Sequence, residues 1–192
     1  GDQYSIALFH PVTTEQDSIA AQARTLVQAL IESRLNYVVV YPNNDPGSAE
    51  ILEAYKAFEA MPRFRVLKSM RFEYFLTLLK HASFIVGNSS AGIREAPFYG
   101  VPSVNVGSRQ FNRAKLASIL HTEVETDKIA EAIGNALNMR PEPLAAFGAG
   151  NSCELFMNVI HQESFWRTER QKFFVDLFPR LPGAQTKLPE LV

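Results

Sequence analysis

The sequence predicts an α/β fold: a parallel sheet with helices packed on both faces. Three observations carry that prediction. Short β-branched and aromatic runs alternate with segments whose apolar residues recur at helical spacing. The run Tyr37-Val38-Val39-Val40-Tyr41 is apolar at every position, the mark of a strand buried on both faces. Dense turn chemistry, such as Pro42-Asn43-Asn44-Asp45-Pro46-Gly47-Ser48, separates the two kinds of segment. Repeated strand–helix alternation with buried strands places helices on both faces of a parallel sheet.

Each element follows from local pattern. Ile6-Ala7-Leu8-Phe9 reads as a buried strand that stops at His10-Pro11. From Glu15 to Arg34, Ile19, Ala23, Leu26, Val27, Leu30 and Ile31 fall on one helical face. Tyr37 to Tyr41 is the second strand. Ser48 is the expected N-cap of a helix running to Ala60. Phe64 to Leu67 is a third strand, and Glu73 to His81 a helix that turns Phe75, Leu76 and Leu79 inward. Ser83 to Val86 is the fourth strand, followed by a helix over Ala91 to Tyr99, which Gly100-Val101-Pro102 ends. Ser103 to Val106 is the fifth strand, Ile119 to His121 a sixth, and Asp127 to Asn138 an amphipathic helix. The segment from Asn151 to Leu177 reads as helix with a kink near Ser164, and Pro179 to Val192 as a loose tail. Residues 1–178 are expected to form a single domain.

Composition bounds the function. A chain of 192 residues, 46% hydrophobic, is long enough for one domain with a real core. Its mean hydropathy is -0.07, ordinary for a globular protein. A formal net charge of -1 argues against nucleic acid as a partner. The one cysteine, Cys153, leaves no internal disulfide and fits a reducing, cytoplasmic setting. No apolar run approaches the roughly 18–20 residues that cross a bilayer, so no membrane partner is expected. The polar start Gly1-Asp2-Gln3 is not a signal peptide and lacks an initiator Met, so the chain reads as a piece of something longer.

The chemistry is expected where ligands bind in such sheets, beyond the carboxyl ends of the strands. That rule gathers the loops His10–Thr13, Pro42–Ser48, Lys68–Phe72, Gly87–Gly92 and Gly107–Arg113. The most informative is Gly87-Asn88-Ser89-Ser90-Ala91-Gly92-Ile93-Arg94-Glu95, a strand turning into a helix through small polar residues. Such a turn aims N–H groups and the helix dipole at one spot, which suits a phosphate. Ser89 and Ser90 add hydroxyls, Gly92 permits close approach, and Glu95 is placed to accept from sugar hydroxyls. The same residues also fit a simple helix cap and a solvated helix face. His10 fits a general acid/base or a phosphate partner, or a loop cap. Asn43 fits a phosphate donor or an ordinary turn residue. Arg109 and Arg113 fit a diphosphate clamp or plain surface charge. The aromatics Phe156, Phe165, Trp166, Phe173 and Phe174 read as core or domain interface. No zinc-ligand spacing, Walker loop, nucleophile elbow or Gly-x-Gly-x-x-Gly turn occurs. Neither a metal nor a cofactor is expected.

Taken together, His10-Pro11-Val12-Thr13, Tyr41-Pro42-Asn43, the Gly87–Glu95 run and Gly100-Val101-Pro102-Ser103-Val104-Asn105-Val106-Gly107-Ser108-Arg109-Gln110 resemble the hydrolysing UDP-N-acetylglucosamine 2-epimerases of sialic-acid-type sugar biosynthesis. Gly148-Ala149-Gly150-Asn151-Ser152 also looks like that family's step into its last helices. The resemblance spans Ser5 to Leu177. Non-hydrolysing relatives share the fold, but the Asn-Ser-Ser-x-Gly-x-Arg-Glu form looks like the hydrolysing branch. Ala114-Lys115-Leu116 departs from the glycine-containing sequence expected there.

The resemblance implies a GT-B fold, two Rossmann-like domains with the active site between them, of which this chain is the C-terminal one. It implies that Ser89, Ser90 and Gly92 meet the diphosphate and Glu95 the ribose. Met70 and Phe72 would lie at the uracil, Asn43, Arg109 and Arg113 at the phosphates, and His10 at the reacting sugar as the catalytic group. The implied reaction removes the C2 proton, eliminates UDP and hydrates the glycal, with carboxylates from the N-terminal domain. Partners are then UDP, a UDP-N-acetylhexosamine and that missing domain, with a homo-oligomer expected at full length. A GT-B glycosyltransferase donor domain and a stand-alone nucleotide-binding module are the alternative readings.

Overall fold

The computed structural model describes residues 3–171. The chain divides into two compact units, the first ending at Gly148. The expected single domain through residue 178 extends past the described residues, as do the expected loose tail, Phe173 and Phe174.

The first unit is built on a six-stranded, wholly parallel sheet: β1 (Ser5–Leu8), β2 (Tyr37–Val40), β3 (Phe64–Leu67), β4 (Ile85–Gly87), β5 (Ser103–Val106) and β6 (Ile119–Thr122). The spatial order is β3-β2-β1-β4-β5-β6. Its helices are α1 (Ile19–Glu32), α2 (Ser48–Tyr55), α3 (Phe72–Lys80), α4 (Ala91–Phe98) and α5 (Thr126–Asn138). This is a Rossmann-like domain of the GT-B type, with helices on both faces.

The period of two along each strand divides the core into two layers. Ala7, Phe9, Val39, Val86 and Val104 pack with Leu26 and Leu30 of α1, Ile51 of α2 and Ile129 of α5. Ile6, Leu8 and Ile85 pack on the other face with Phe75 and Leu79 of α3 and Ala96 of α4. Leu26, Leu30 and Ile51 are wholly buried, each contributing roughly 1.5–3 kcal/mol by leaving water. Tyr37 stacks on Phe64 at 5.5 Å, and Phe64 on Phe58 at 4.2 Å, closing the β3 edge.

Apart from shifts of a residue at element ends, such as the first strand's Ser5–Leu8 in place of Ile6–Phe9, the elements depart from expectation in four places. The helix expected from Glu15 begins as a 3₁₀ turn over Thr13–Ser18, and Glu15 itself is off-helix at φ -124°. The Glu15 carboxylate accepts from Ser108 and Gln22 instead, which holds its backbone out of the helix. Gly47, not Ser48, caps α2; Ser48 is the first helical residue and makes no capping bond. The helix expected to Ala60 tightens after Tyr55 into a 3₁₀ turn over Lys56–Phe58. The fourth strand is Ile85–Gly87, because Gly87 still pairs with Leu8. At Gly87 (φ 134°) a Cβ would lie 2.1 Å from the Leu8 carbonyl oxygen, so only glycine lets β1 and β4 converge there.

The second unit, as described, holds α6 (Ser152–Ile160) and α7 (Glu163–Trp166). They break at His161-Gln162, before Ser164, and the Trp166 indole N–H donates to the Ile160 carbonyl at 2.7 Å. Phe156 is 61% and Trp166 70% exposed, so neither is buried among the described residues. Among the described residues no helix is long and apolar enough to cross a membrane.

Candidate functional site

Strand register sets all the carboxyl ends in one row. Leu67 pairs with Val40, Val40 with Leu8, Leu8 with Gly87, Gly87 with Asn105, and Asn105 with His121. The strand order reverses between β1 and β4, so a crevice opens there. A pocket of about 420 Å³ occupies it. Its wall includes His10 after β1, Tyr41 and Asn43 after β2, Lys68 and Met70 after β3, and Ser89, Ser90 and Glu95 at α4. Phe72 and Phe75 of α3 supply the apolar side.

Seven of the ten sequence-predicted site residues therefore meet in one cavity: His10, Asn43, Met70, Phe72, Ser89, Ser90 and Glu95. Gly92, Arg109 and Arg113 do not line it. Gly92 is buried inside α4, and a Cβ there would lie 2.4 Å from the Ser103 Oγ of β5. The glycine at this position lets helix and sheet approach. Arg109 is half-buried and donates through Nη1 to the Asn88 carbonyl at 3.2 Å. Arg113 is exposed in the same loop. Ser108 fastens that loop to Glu15, and these bonds hold the Glu15 carboxyl below its ordinary pKa.

Lys68, Tyr41 and Ser69 were missed as individual site residues. Their signal was position alone: they sit at or just beyond the ends of β2 and β3.

The start of α4 is narrower as an anion site than its sequence suggests. The N–H groups of Gly92, Ile93 and Arg94 already donate to the Ser89 and Ser90 carbonyls, and that of Ala91 to Ser89 Oγ. Among the described residues the N–H groups of Ser89 and Ser90 are left to meet a ligand.

His10 is held from both sides. Its Nδ1 accepts the Asn43 N–H at 3.0 Å, which puts the proton of the neutral ring on Nε2. Burial, reinforced by the Arg109 cation, lowers its pKa to about 4. At neutral pH the ring is an uncharged Nε2–H donor. Burial pushes the Glu95 carboxyl up, a cost that donors from a bound ligand would offset. The cavity lining therefore combines N–H, hydroxyl and ammonium donors with a carboxylate and aromatic rings. That combination suits an anion joined to a hydroxylated, planar-ringed group.

A parallel α/β domain with a polar-lined crevice at its switch point has the architecture in which such folds bind nucleotides. The chain belongs to the UDP-N-acetylglucosamine 2-epimerase family, whose pattern matches residues 1–161. It is 46% identical over 180 residues to a UDP-N-acetylglucosamine 2-epimerase of Neisseria meningitidis serogroup B, covering 92% of this chain and 48% of that protein. It is 33% identical over 133 residues to a hydrolysing UDP-N,N'-diacetylbacillosamine 2-epimerase of Legionella pneumophila, covering 69% of this chain and 35% of that protein. The chain thus spans half or less of the length of these relatives. The fold matches a Methanocaldococcus jannaschii UDP-GlcNAc 2-epimerase solved with UDP-GlcNAc and UDP. The TM-score is 0.68 at 15% identity, over 83% of this chain and 45% of that one.

Proposed function

We propose that this chain is the UDP-binding, C-terminal half of a hydrolysing UDP-N-acetylglucosamine 2-epimerase. The observation that carries the reading is the convergence of His10, Asn43, Ser89, Ser90 and Glu95 on one cavity at the β1/β4 switch point. The 46% identity to a UDP-N-acetylglucosamine 2-epimerase supports the substrate class, and the named activity of the Legionella relative supports the hydrolysing type.

In this reading Glu95 accepts from the ribose hydroxyls, and Met70 and Phe72 lie against uracil. The N–H groups of Ser89 and Ser90, the His10 Nε2–H and Lys68 face the diphosphate. Arg109 and Arg113 stand behind it as charge.

The reaction takes the C2 proton to a base and breaks the bond from C1 to the phosphate oxygen. That leaves a glycal and UDP; water then adds across the glycal to give free N-acetylmannosamine. Negative charge grows on the leaving phosphate as that bond breaks. Fixed donors aimed there stabilise the departing group more than the substrate, which is how this half contributes to rate. The carboxylates that move the C2 proton come from the other domain.

The test is a full-length enzyme incubated with UDP-N-acetylglucosamine and no acceptor. The expected products are UDP and free N-acetylmannosamine in equal amounts. A strict requirement for an acceptor sugar would point to a glycosyltransferase instead. The present chain alone is expected to release no UDP, and measurable turnover by it would contradict the division of labour.

A further inference from the structure

We infer that the buried amides of Asn88 and Gln110, neither of which lines the pocket, are positioning residues that set the diphosphate affinity of the site. This rests on the UDP-binding reading above.

The β1–β4 ladder ends at the Leu8–Gly87 pair. The next residue, Asn88, donates its N–H to the Leu8 carbonyl at 3.2 Å. Beyond that point β1 turns away, and the Asn88 side chain takes over the ladder's work. Its Oδ1 accepts the His10 N–H at 2.7 Å, and its Nδ2 donates to the His10 carbonyl at 2.8 Å. The Asn88 carbonyl accepts twice more, from Gln110 Nε2 at 2.9 Å and from Arg109 Nη1 at 3.2 Å. Every polar group of Asn88, a residue 1% exposed, is thereby engaged. The His10 loop, the Ser89-Ser90 turn and the Arg109 loop are fastened at a single residue.

Gln110 adds an independent sign of function. It is wholly buried, yet its Oε1 has no partner among the described residues. An apolar side chain of similar shape would avoid that unsatisfied oxygen. What such a side chain would lose is the donor to Asn88. The arrangement sacrifices stability to hold a backbone carbonyl in place.

Three groups bear on the buried His10 imidazole: the Asn43 N–H, Arg109 and Asp45. Releasing His10 from Asn88 loosens all of them together.

The experiment uses this chain with two variants, Asn88→Ala and Gln110→Leu. Calorimetry with UDP and with uridine is paired with the NMR titration of the His10 ring in the unliganded chain. Asn88→Ala is expected to weaken UDP about ten-fold or more while uridine affinity stays within about two-fold, since one lost charge-assisted contact corresponds to about a ten-fold change. Its His10 pKa moves from about 4 toward the ordinary 6.5. Gln110→Leu is expected to weaken UDP several-fold through Arg109, with the His10 titration unchanged and the melting temperature kept or raised. An unchanged UDP-to-uridine ratio in folded Gln110→Leu and Asn88→Ala overturns the inference. If Asn88→Ala does not fold, Gln110→Leu decides alone. If the parent chain binds no UDP, the UDP reading itself fails. The His10 titration of Asn88→Ala then decides the positioning claim, and an unchanged pKa overturns it.

Discussion

His10 and Glu95 are two half-buried ionisable groups whose pKa values both move toward the uncharged form. For His10 this has a consequence for stability. Its folded-state pKa of about 4 lies below the ordinary 6.5. Between those values the unfolded chain takes up a proton that the folded chain refuses. The contribution is therefore fully present above about pH 6.5, falls as pH drops toward 4, and then levels. Urea denaturation at pH 7 and pH 4.5 should show a larger loss for the parent chain than for His10→Asn, which keeps an acceptor for the Asn43 N–H. Equal losses would contradict the burial of a neutral ring. For Glu95, the ribose hydroxyls are expected to donate to a carboxylate that no protein side chain holds among the described residues. Glu95→Gln keeps the shape and removes the charge. It should weaken UDP by about 1.5–3 kcal/mol, or roughly ten- to a hundred-fold, in a calorimetric titration. An unchanged affinity would remove the ribose assignment.

At the scale of elements, two glycines decide how close β1, β4, β5 and α4 can come. Gly92→Ala drives a methyl into the buried Ser103 hydroxyl, a short side chain with some freedom to turn. The expected cost is about 1–3 kcal/mol, as for overpacking generally. Gly87→Ala meets the fixed Leu8 carbonyl at a positive φ and should cost more. Thermal melts of the two variants check the ranking; a milder Gly87→Ala would contradict it. Gly92 stood out in the sequence, but for a phosphate. That Gly92 serves helix–sheet contact depends on Ser103, which local pattern does not reach. Strand cores such as Tyr37–Val40 were legible because continuous apolar runs have few other uses in a chain of this length. The start of α1 was not, because the bond that holds Glu15 off-helix comes from Ser108, 93 positions away.

Over the whole molecule, the sequence identified the loops and the structure supplied their order. Placing β1 beside β4 depends on a crossover that no local spacing encodes. It is this crossover that brings His10 to Ser89 and Ser90. Asn88 stood in the sequence as part of a strand-to-helix turn, yet its side chain grips a residue 78 positions away. Lys68 carried no mark beyond its place after β3. Arg109 and Arg113 were recognisable as a basic pair, but their loop folds back so that Arg109 rests on Asn88. The central claim is that the edge where these loops converge binds UDP. Calorimetric titration of this chain with UDP tests it most directly. The account predicts saturable binding of one UDP per chain, competed by uridine. Absence of saturable binding, or binding that uridine does not displace, would contradict it.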